Sequence, residues 1–226
     1  MRKDVVTAIL AVAVLTVLLG IAYPLFITGV AQVTFPGNAN GQQIKQHGRL
    51  VGSKLLAQVY GEPALDRKGT PILTSTGAPT YNPDPRYFQP RPSATSPVYN
   101  AAATTFSNLG PNSKATLAEF QTNVQGYLSL EAPYNPGLTV RRIPVDAVTT
   151  SASGVDPDIS QANAAIQARR VAAVRHLPLA VVERLIQDNT DGRTLGVLGE
   201  PGVNVVKLNL ALDQRSRTHL ASVTRP

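Results

Sequence analysis

Residues 5–27, VVTAILAVAVLTVLLGIAYPLFI, carry no charged side chain and decide the architecture of the chain. A helix needs about 20 apolar residues to cross a hydrocarbon core about 30 Å thick, and this segment is longer. Within lipid, a single segment satisfies its own backbone groups only as a helix. Gly20 and Pro24 are tolerated in membrane helices, and Tyr23 suits a membrane interface. The segment therefore predicts a transmembrane helix.

A cleaved secretory signal is the alternative to a retained helix. The small residues GVA at 29–31 have the spacing of a cleavage site. The apolar core, however, exceeds the roughly 7–15 residues of a signal-peptide core. We therefore predict a retained N-terminal membrane anchor over residues 1–33.

The flanking charges predict the orientation of the anchor. Arg2 and Lys3 lie directly before the apolar segment, whereas no further cation occurs until Lys45. Positive charge close to a membrane helix marks its cytoplasmic side. The pattern predicts a single-pass protein whose N-terminus is cytoplasmic and whose main domain is extracytoplasmic.

Composition excludes several classes of function. The 226 residues are 43% hydrophobic, enough for a real core, and contain no cysteine. A disulfide framework, a cysteine-based zinc site and a thiol nucleophile are thereby excluded. The net charge of +7 is spread along the chain without a basic run, which argues against nucleic acid and favours a solvated surface or an acidic protein partner. The three histidines lack ligand spacing, so no metal site is expected.

The remaining residues predict one soluble α+β domain over 34–213, followed by a flexible C-terminal tail over 214–226. Residues 44–59 fit either a helix or a strand. Residues 61–85 contain five prolines and predict a long surface loop. Leu117, Phe120, Val124 and Leu128 have the spacing of an amphipathic helix over 117–130.

The C-terminal third predicts two helices and a strand. Pro157, with Asp158 and Gln161 as a capping pair, opens a helix that extends to about Arg175. Pro178 opens a second helix. Beyond it, the alternation in NVVKLNLALD (204–213) places Val206, Leu208, Leu210 and Leu212 on one face and predicts a half-buried strand.

No motif in the chain forms a self-sufficient catalytic site. DRKGT (66–70) has the wrong residue order for an aspartyl-phosphate motif, and GRLVGSK (48–54) has the wrong glycine spacing for a phosphate loop. Asp156 and Asp158 fit helix capping better than cation binding. We therefore expect no enzymatic activity from this chain on its own.

Seven short segments occur in an order that resembles one known family. They are YPL (23–25), FPGNANG (35–41), YFQPRPSA (87–94), YNAAATTFSNL (99–109), IPVDAVTTSASGVDPDIS (143–160), AAIQARRVA (164–172) and GEPGVNVVKLNLALD (199–213). Together they resemble the C subunit of Kdp-type potassium-transporting P-type ATPases, the KdpC family, along nearly the whole chain. Residues 61–85 look like an insertion relative to that pattern.

The resemblance implies a non-catalytic subunit of a high-affinity potassium uptake complex in the bacterial cell membrane. Its implied partners are a potassium-selective channel-like subunit, the P-type ATPase subunit that hydrolyses ATP, and a small single-helix subunit, besides membrane lipid. Assembly, stability and modulation of the pump are the implied roles. The motif residues that we take as candidates for partner interfaces are Tyr87, Phe88, Arg91, Ser93, Asn100, Ser107, Asn108, Asp156, Arg170, Asn204 and Asn209.

The proline-flanked segment YFQPRPSA leaves two interpretations open. Prolines fix the backbone, so that Tyr87, Phe88 and Arg91 point in set directions. In the first interpretation they form a docking or pore-mouth surface, with Arg91 making a forked contact to a carboxylate. In the second, Arg91 pairs internally while the two aromatic rings fill the core.

The resemblance also implies a nucleotide contact. In this family the subunit is proposed to act as a catalytic chaperone that raises the affinity of the ATPase subunit for ATP, and Gln167 is the matching candidate residue. ATP, held jointly with the ATPase subunit, is the one implied cofactor, and none is expected to bind tightly. ATP is cytoplasmic, whereas the flanking charges place Gln167 outside, so a helix-surface or interface role for Gln167 stays open.

A different class of function also stays open. A membrane-anchored extracytoplasmic binding protein that acts alone has the same architecture, and it differs in purifying without a multi-pass partner.

Overall fold

The computed structural model describes residues 2–73 and 79–223. The chain divides into two compact units, Met1–Ser53 and Lys54–Pro226. The predicted fold class, an α+β domain after one N-terminal helix, is confirmed by the elements of these units. The extracytoplasmic placement and the domain boundaries at 33/34 and 213/214 remain predictions.

The first unit begins with an apolar helix that fits a membrane span. Helix α1 (Arg2–Val17) passes through a π-helical turn (Leu18–Ala22) into α2 (Tyr23–Thr34). Pro24 has no N–H for the α-helical bond to Gly20, and the Tyr23 N–H instead reaches the carbonyl of Leu18, five residues back. No residue of the apolar window of this continuous 33-residue helix is buried, and it is the one membrane-span candidate in the described part of the chain.

A hairpin completes the first unit. After the short helix α3 (Pro36–Ala39), strand β1 (Gln43–Gln46) pairs antiparallel with β2 (Arg49–Ser53). The two-residue turn between them consists of His47 and Gly48, whose φ angles are 49° and 77°. Positive φ at both positions is the geometry of a type I′ turn, which matches strand twist. Of residues 44–59, whose sequence fits either a helix or a strand, 44–46 and 49–53 are strand, and 54–59 form neither a helix nor a strand element.

The proline-rich segment 61–85 is not a plain loop, so this prediction is wrong in part. Strand β3 (Gly61–Pro63) pairs antiparallel with β4 (Tyr81–Pro83). Within the segment between these strands, isolated antiparallel bridges pair Leu65 with Pro71 and Leu73 with Pro79. Proline is tolerated here because an edge strand does not need every N–H. Residues 74–78 lie outside the described residues.

Three predicted helices are confirmed. They are α4 (Lys114–Glu131), α5 (Gln161–Arg175) and α6 (Leu179–Asp188). The predicted cap of α5 is wrong: its N-cap is Ser160, whose hydroxyl accepts the N–H of Asn163. Asp158 does not cap this helix because it lies two residues before the N-cap, in strand β5 (Asp158–Ile159).

Strand β5 belongs to a small antiparallel sheet with β6 (Thr190–Asp191) and β7 (Gly202–Asn204), in the order β5-β7-β6. The strand predicted over residues 204–213 is wrong from Val205 onward, because helix α7 (Val205–Val223) begins directly after β7. Asn204 caps it by accepting the N–H of Lys207. Helical spacing separates the buried residues Val205, Leu208, Asn209 and Leu212. The alternation of apolar residues in the sequence hides this spacing and predicts a strand instead. Residues 214–223 continue the helix, and 224–226 lie outside the described residues.

The core of the second unit lies between the sheet and helices α5, α6 and α7. Small residues on α5 bring these helices close together: Ala164 and Ala168 are fully buried beside Val171. The other core members are Phe88, Ile159, Ala172, Val182, Ile186, Val203, Val205, Leu208 and Leu212. The family segment around Phe88 is therefore part of this core.

Candidate functional site

Helix α5 buries two different stripes. Ala164, Ala168 and Val171 form the apolar stripe, and Asn163, Gln167 and Arg170 form a polar stripe with the same i, i+4, i+7 spacing. This spacing places each set on one face of the helix. All three polar side chains are buried, so each must find its hydrogen bonds inside the protein.

Gln167 makes four internal hydrogen bonds. Its Nε2 donates to the carbonyl of Gln89 at 3.1 Å and to Oδ1 of Asn163 at 3.0 Å. Its Oε1 accepts the N–H of Gln89 at 2.7 Å and Nη2 of Arg170 at 3.0 Å. The amide has two donors and two acceptor lone pairs, so its capacity is used completely. Gln167 thereby holds the backbone of the YFQPRPSA segment as a neighbouring strand would.

Arg170 is fully buried and ties three parts of the domain together. Its Nε donates to Oε1 of Glu131 on α4 at 2.8 Å, and neither side chain is exposed. Its Nη1 donates to the carbonyls of Pro85 and Tyr87. Burial raises the pKa of the Glu131 carboxyl, and the ion pair with Arg170 opposes that rise. Oε2 of Glu131 is buried without a hydrogen-bond partner among the described residues.

These side chains form a buried polar network, which consists of Tyr127, Glu131, Asn163, Gln167, Arg170 and the backbone of residues 85–89. Tyr127 belongs to it, and the carboxylate of Asp146 contacts it, through Asn163. Tyr127 on α4 donates its hydroxyl to Oδ1 of Asn163 at 3.0 Å. Burial raises the pKa of Tyr127, so the phenol stays a donor. Asp146 accepts from Nδ2 of Asn163 and from the N–H and hydroxyl of Ser160. This carboxylate therefore supports the start of α5.

Phe88 is held from α7. Asn209 accepts the N–H of Phe88 and donates Nδ2 to its carbonyl, both at 2.9 Å. The Phe88 ring is fully buried in the core. Tyr87 stacks on Tyr60 with ring centroids 5.4 Å apart, and the guanidinium of Arg175 lies 4.6 Å from the centroid of the Tyr87 ring.

Arg91 also pairs internally. Its Nη2 donates to the carbonyl of Thr150 at 3.1 Å, and Nη1 lies 3.6 Å from Oδ2 of Asp156. Asp156 in turn accepts the N–H of Asp158. The internal pairing of Arg91 and the burial of Phe88 fit the second interpretation of YFQPRPSA, whereas Tyr87 is half-buried and is not a member of the core.

Similarity to known proteins extends over almost the whole chain. The family model described as "KdpC: K+-transporting ATPase, c chain" matches residues 5–214. The chain belongs to the KdpC family. A relative from Methylococcus capsulatus, named "Potassium-transporting ATPase KdpC subunit", is 45% identical over 207 residues, which cover 91% of this chain and 95% of the relative.

Relatives with the same name occur in other bacteria. The one from Herpetosiphon aurantiacus is 44% identical over 95% of this chain and 97% of its own length. The one from Mycobacterium tuberculosis strain H37Rv is 42% identical over 95% of this chain and all of its own length. The chain is thus a KdpC-type subunit of the potassium-transporting ATPase, with a candidate membrane helix at its N-terminus.

The candidate residues of this KdpC-family chain fall into two groups. Several are internal: Phe88, Gln167, Arg170, Asn204 and Asn209 are buried, and Tyr87, Arg91, Ser93, Asn100 and Asp156 are half-buried. Asn204 donates to the carbonyl of Lys54 and to Asp158, while Ser93 donates to the carbonyl of Gly154. Ser107 and Asn108 lie instead on segment 101–112, which is exposed throughout. Their roles as interface residues remain predictions.

Three open cavities adjoin the network. One of 610 Å³ is lined by Pro85 and by Arg86, whose guanidinium pairs with Asp84. The other two, of 560 and 320 Å³, share Pro83, Gln89, Pro92 and Asn123, and none of the described residues that line these two is charged. A triphosphate is normally held by cationic side chains or helix N-termini, so these two linings offer no phosphate site. Across residues 2–73 and 79–223, no group of three His, Cys, Asp or Glu side chains is placed to hold a metal ion.

Sequence reasoning missed three members of the network, namely Tyr127, Glu131 and Asn163, as well as the supporting carboxylate of Asp146. The signal for Asn163 was its spacing of four residues from Gln167, which places both on one face of α5. Tyr127 and Glu131 have the same spacing on α4. A polar residue between apolar ones on a helix is normally predicted to face solvent. The packing of α4 on α5 instead buries the helix faces that carry Glu131 and Asn163.

Proposed function

We propose that this chain is the accessory, non-catalytic subunit that the potassium-transporting ATPase complex needs for its assembly and stability. In this proposal the helix Arg2–Thr34 anchors the chain, its N-terminus lies in the cytoplasm, and the domain lies outside. The partners are the potassium-selective subunit, the ATPase subunit and a small single-helix subunit.

One observation supports this proposal above the others. The side chains of Gln167, Arg170 and Asn209, from two of the family segments, are buried and hydrogen-bond to the backbone of residues 85–89, and Gln167 has no unused hydrogen-bond group. Such a network fixes the shape of a domain and does not leave groups ready for chemistry. What remains for other molecules is the exposed surface, including segment 101–112 with Ser107 and Asn108, and the apolar helix.

The competing hypothesis is the catalytic chaperone, in which Gln167 contacts ATP together with the ATPase subunit. Such a contact requires the Gln167 amide to release the backbone of Gln89 and to expose itself from a buried position. It also requires the domain to lie on the cytoplasmic side. We therefore propose that any modulation of the pump passes through protein contacts.

The proposal is tested by expressing the complete complex with an affinity tag on the ATPase subunit, with and without this chain. We expect the other subunits to lose stoichiometric copurification and potassium-dependent ATP hydrolysis when the chain is absent. Isolation of an intact, active complex without the chain contradicts the proposal. Purification of the chain alone, with a bound small molecule, favours the stand-alone binding protein.

A further inference from the structure

The hairpin that follows the apolar helix carries positive charge without a negative counterpart. Lys45 and Arg49 lie on strands β1 and β2. The first unit contains one acidic residue, Asp4, at the start of the helix, and no further Asp or Glu occurs in the chain before Glu62. The charge of the two cations is therefore not neutralised within this unit.

Hydrogen bonds fix the base of the hairpin to the end of the helix. The side-chain amides of Gln32, in the last turn of α2, and Asn40 exchange two hydrogen bonds of 3.3 and 3.0 Å. The hydroxyl of Ser53, at the end of β2, donates to the carbonyl of Gly41 at 2.7 Å. Both ends of the hairpin are thereby held at the segment FPGNANG (35–41), so the hairpin stays close to the helix end.

The length of the apolar segment places this helix end at the membrane surface. Residues 5–33 carry no charge, and at 1.5 Å per residue they extend over about 43 Å as a helix. A bilayer with both headgroup layers is about 40–45 Å thick. When the charged residues 2–4 stay at one membrane face, the residues after Thr34 lie at the headgroup layer of the other face if the helix is upright, and deeper if it tilts.

One side of the hairpin combines a cation with apolar surface. Lys45 pairs with Leu50 across the strands, so their side chains share a side, and Leu50 is 60% exposed. Gln43 lies two residues before Lys45 on the same side and is also exposed. We name this side, with Gln43, Lys45 and Leu50, the Lys45 face. Phe35, at the helix end, is 64% exposed.

The chemistry of this region suits the boundary between lipid headgroups and acyl chains. Segments that lie in this boundary carry lysine or arginine beside apolar side chains, and the long cationic chains reach outward to the headgroups. An acidic protein surface would also match the two cations. Lipid is the occupant favoured by both observations, namely the unmatched positive charge and the attachment of the hairpin to the end of the membrane-span candidate.

We propose that the Lys45 face binds the phosphate groups of anionic lipids, with Arg49 contacting the same headgroup layer from the turn. The lipid phosphates supply the negative charge that the first unit lacks, and the acyl chains cover Leu50 and Phe35. This inference goes beyond the proposed function, because it assigns a lipid-binding surface to the chain itself. It requires the apolar helix to span the membrane, and it requires no partner subunit.

The test uses the full chain, reconstituted alone into vesicles of phosphatidylcholine or of equal parts of phosphatidylcholine and phosphatidylglycerol. Because the chain contains no cysteine, Gln43→Cys accepts a single fluorophore on the Lys45 face. A spin label on the lipid headgroups quenches this fluorophore at close contact. We expect stronger quenching with phosphatidylglycerol, and a loss of this difference at high salt, because salt screens exposed charges. Equal quenching in both lipid mixtures overturns the inference.

Removal of the cations tests their role directly. Lys45→Gln with Arg49→Gln is introduced into the Gln43→Cys chain. Each cation near an anionic surface strengthens contact about fivefold, so this variant should lower the equilibrium constant for headgroup contact about 25-fold. Lys114→Gln with Arg184→Gln is the matched control, because it removes two exposed cations of the second unit, and it should be quenched like the parent chain. Unchanged quenching of the Lys45 and Arg49 variant overturns the inference.

A second fluorophore separates failure of the anchor from failure of the lipid contact. Val14→Cys places it on the apolar helix, where brominated acyl chains should quench it in both lipid mixtures. Absence of this quenching shows that the helix is not inserted, and then both the anchor and the inference fail. Normal quenching at Val14 without lipid dependence at Gln43 removes the inference alone.

Cross-linking in the complete complex identifies the occupant. A photo-reactive benzophenone amino acid in place of Gln43 should give adducts with lipid when the membranes are illuminated. Adducts with a protein subunit alone identify an acidic protein surface as the occupant and overturn the inference. The proposed function fails separately, when the other subunits assemble into an active complex without this chain, and that result leaves the vesicle measurement unchanged.

Discussion

Arg170 and Glu131 form an ion pair of 2.8 Å in which neither side chain is exposed to solvent. The pair joins α5 to α4, and the same guanidinium holds the carbonyls of Pro85 and Tyr87. One buried side chain thus connects two helices with the YFQPRPSA segment. Replacing such a pair as a whole is often tolerated, whereas removing one partner leaves an uncompensated charge.

Loss of Arg170 should therefore destabilise the domain strongly. Arg170→Met leaves the Glu131 carboxyl buried without its cation, and we expect a loss of about 3–5 kcal/mol in the free energy of unfolding. Denaturant unfolding of the full chain in detergent, followed by tyrosine circular dichroism, measures it. Arg184→Met, at an exposed position of α6, is the control and should change the value by less than about 0.5 kcal/mol. Equal effects of the two variants would contradict a structural role for Arg170.

Gln167 should matter for stability and not for nucleotide affinity. Gln167→Met keeps the side-chain length but leaves the Gln89 N–H and carbonyl without partners, at about 1–3 kcal/mol for each unsatisfied group. The yield of assembled complex should fall, while the KM for ATP of the complex that does assemble stays at the wild-type value. Gln187→Met, exposed on α6, controls for the loss of an amide. A raised KM for ATP with normal yield would support the catalytic chaperone.

Gly154 should not accept a side chain. Its φ is +71°, and a Cβ atom there would lie 2.6 Å from Cγ2 of Thr95 and 2.7 Å from the carbonyl oxygen of Thr105. Gly137 has a similar φ of +80° with no atom near its Cβ position. Alanine at Gly137 should cost about 1–2 kcal/mol for the left-handed backbone alone. Gly154→Ala should cost more, by the same unfolding measurement, and equal losses would show that the contacts with residues 95 and 105 are not fixed.

Asp158 should make stability depend on pH. Burial raises its pKa above the ordinary value, the amide of Asn204 opposes the rise, and the carboxylates of Asp156 and Asp191 add to it. The folded state then binds the proton more tightly than the unfolded state does. The resulting stabilisation is present below the ordinary pKa and is lost as pH rises through the raised pKa.

Asp158→Asn removes this titration while keeping the oxygen that accepts from Asn204. Relative to wild type, the variant should gain free energy of unfolding as pH rises from about 3.5 to about 7. Unfolding curves across this range measure the difference. A difference that stays constant, or that shrinks with rising pH, would contradict the raised pKa.

Local signals were sufficient for the helices with clear ends. Pro178 and the apolar spacing after it predicted α6, and the spacing around Val124 predicted α4. Local signals failed where a short segment fits both the helical and the strand periodicity. Residues 205–212 alternate between apolar and polar like a strand, but the buried residues among them have helical spacing. Asn204, which caps α7, and the buried Asn209 carried the helical signal.

The sequence predicted several residues of the candidate site, but it did not predict how they contact one another. The resemblance selected Phe88, Gln167, Arg170 and Asn209, but their contacts with other elements join residues that lie 39 to 121 positions apart in the chain, such as Phe88 and Asn209. Periodicity within one helix does not contain such pairings. Glu131 lies 39 positions before Arg170, and only the packing of α4 on α5 identifies it as the counter-ion.

The side of the membrane on which the domain lies tests the central claim most directly. Because the chain contains no cysteine, single cysteines introduced by Glu183→Cys and by Lys3→Cys report one position each. With a membrane-impermeant maleimide, we predict labelling of the Glu183→Cys chain in intact cells and of the Lys3→Cys chain only after permeabilisation. The reverse pattern would contradict an extracytoplasmic domain and would place Gln167 on the side where ATP is available.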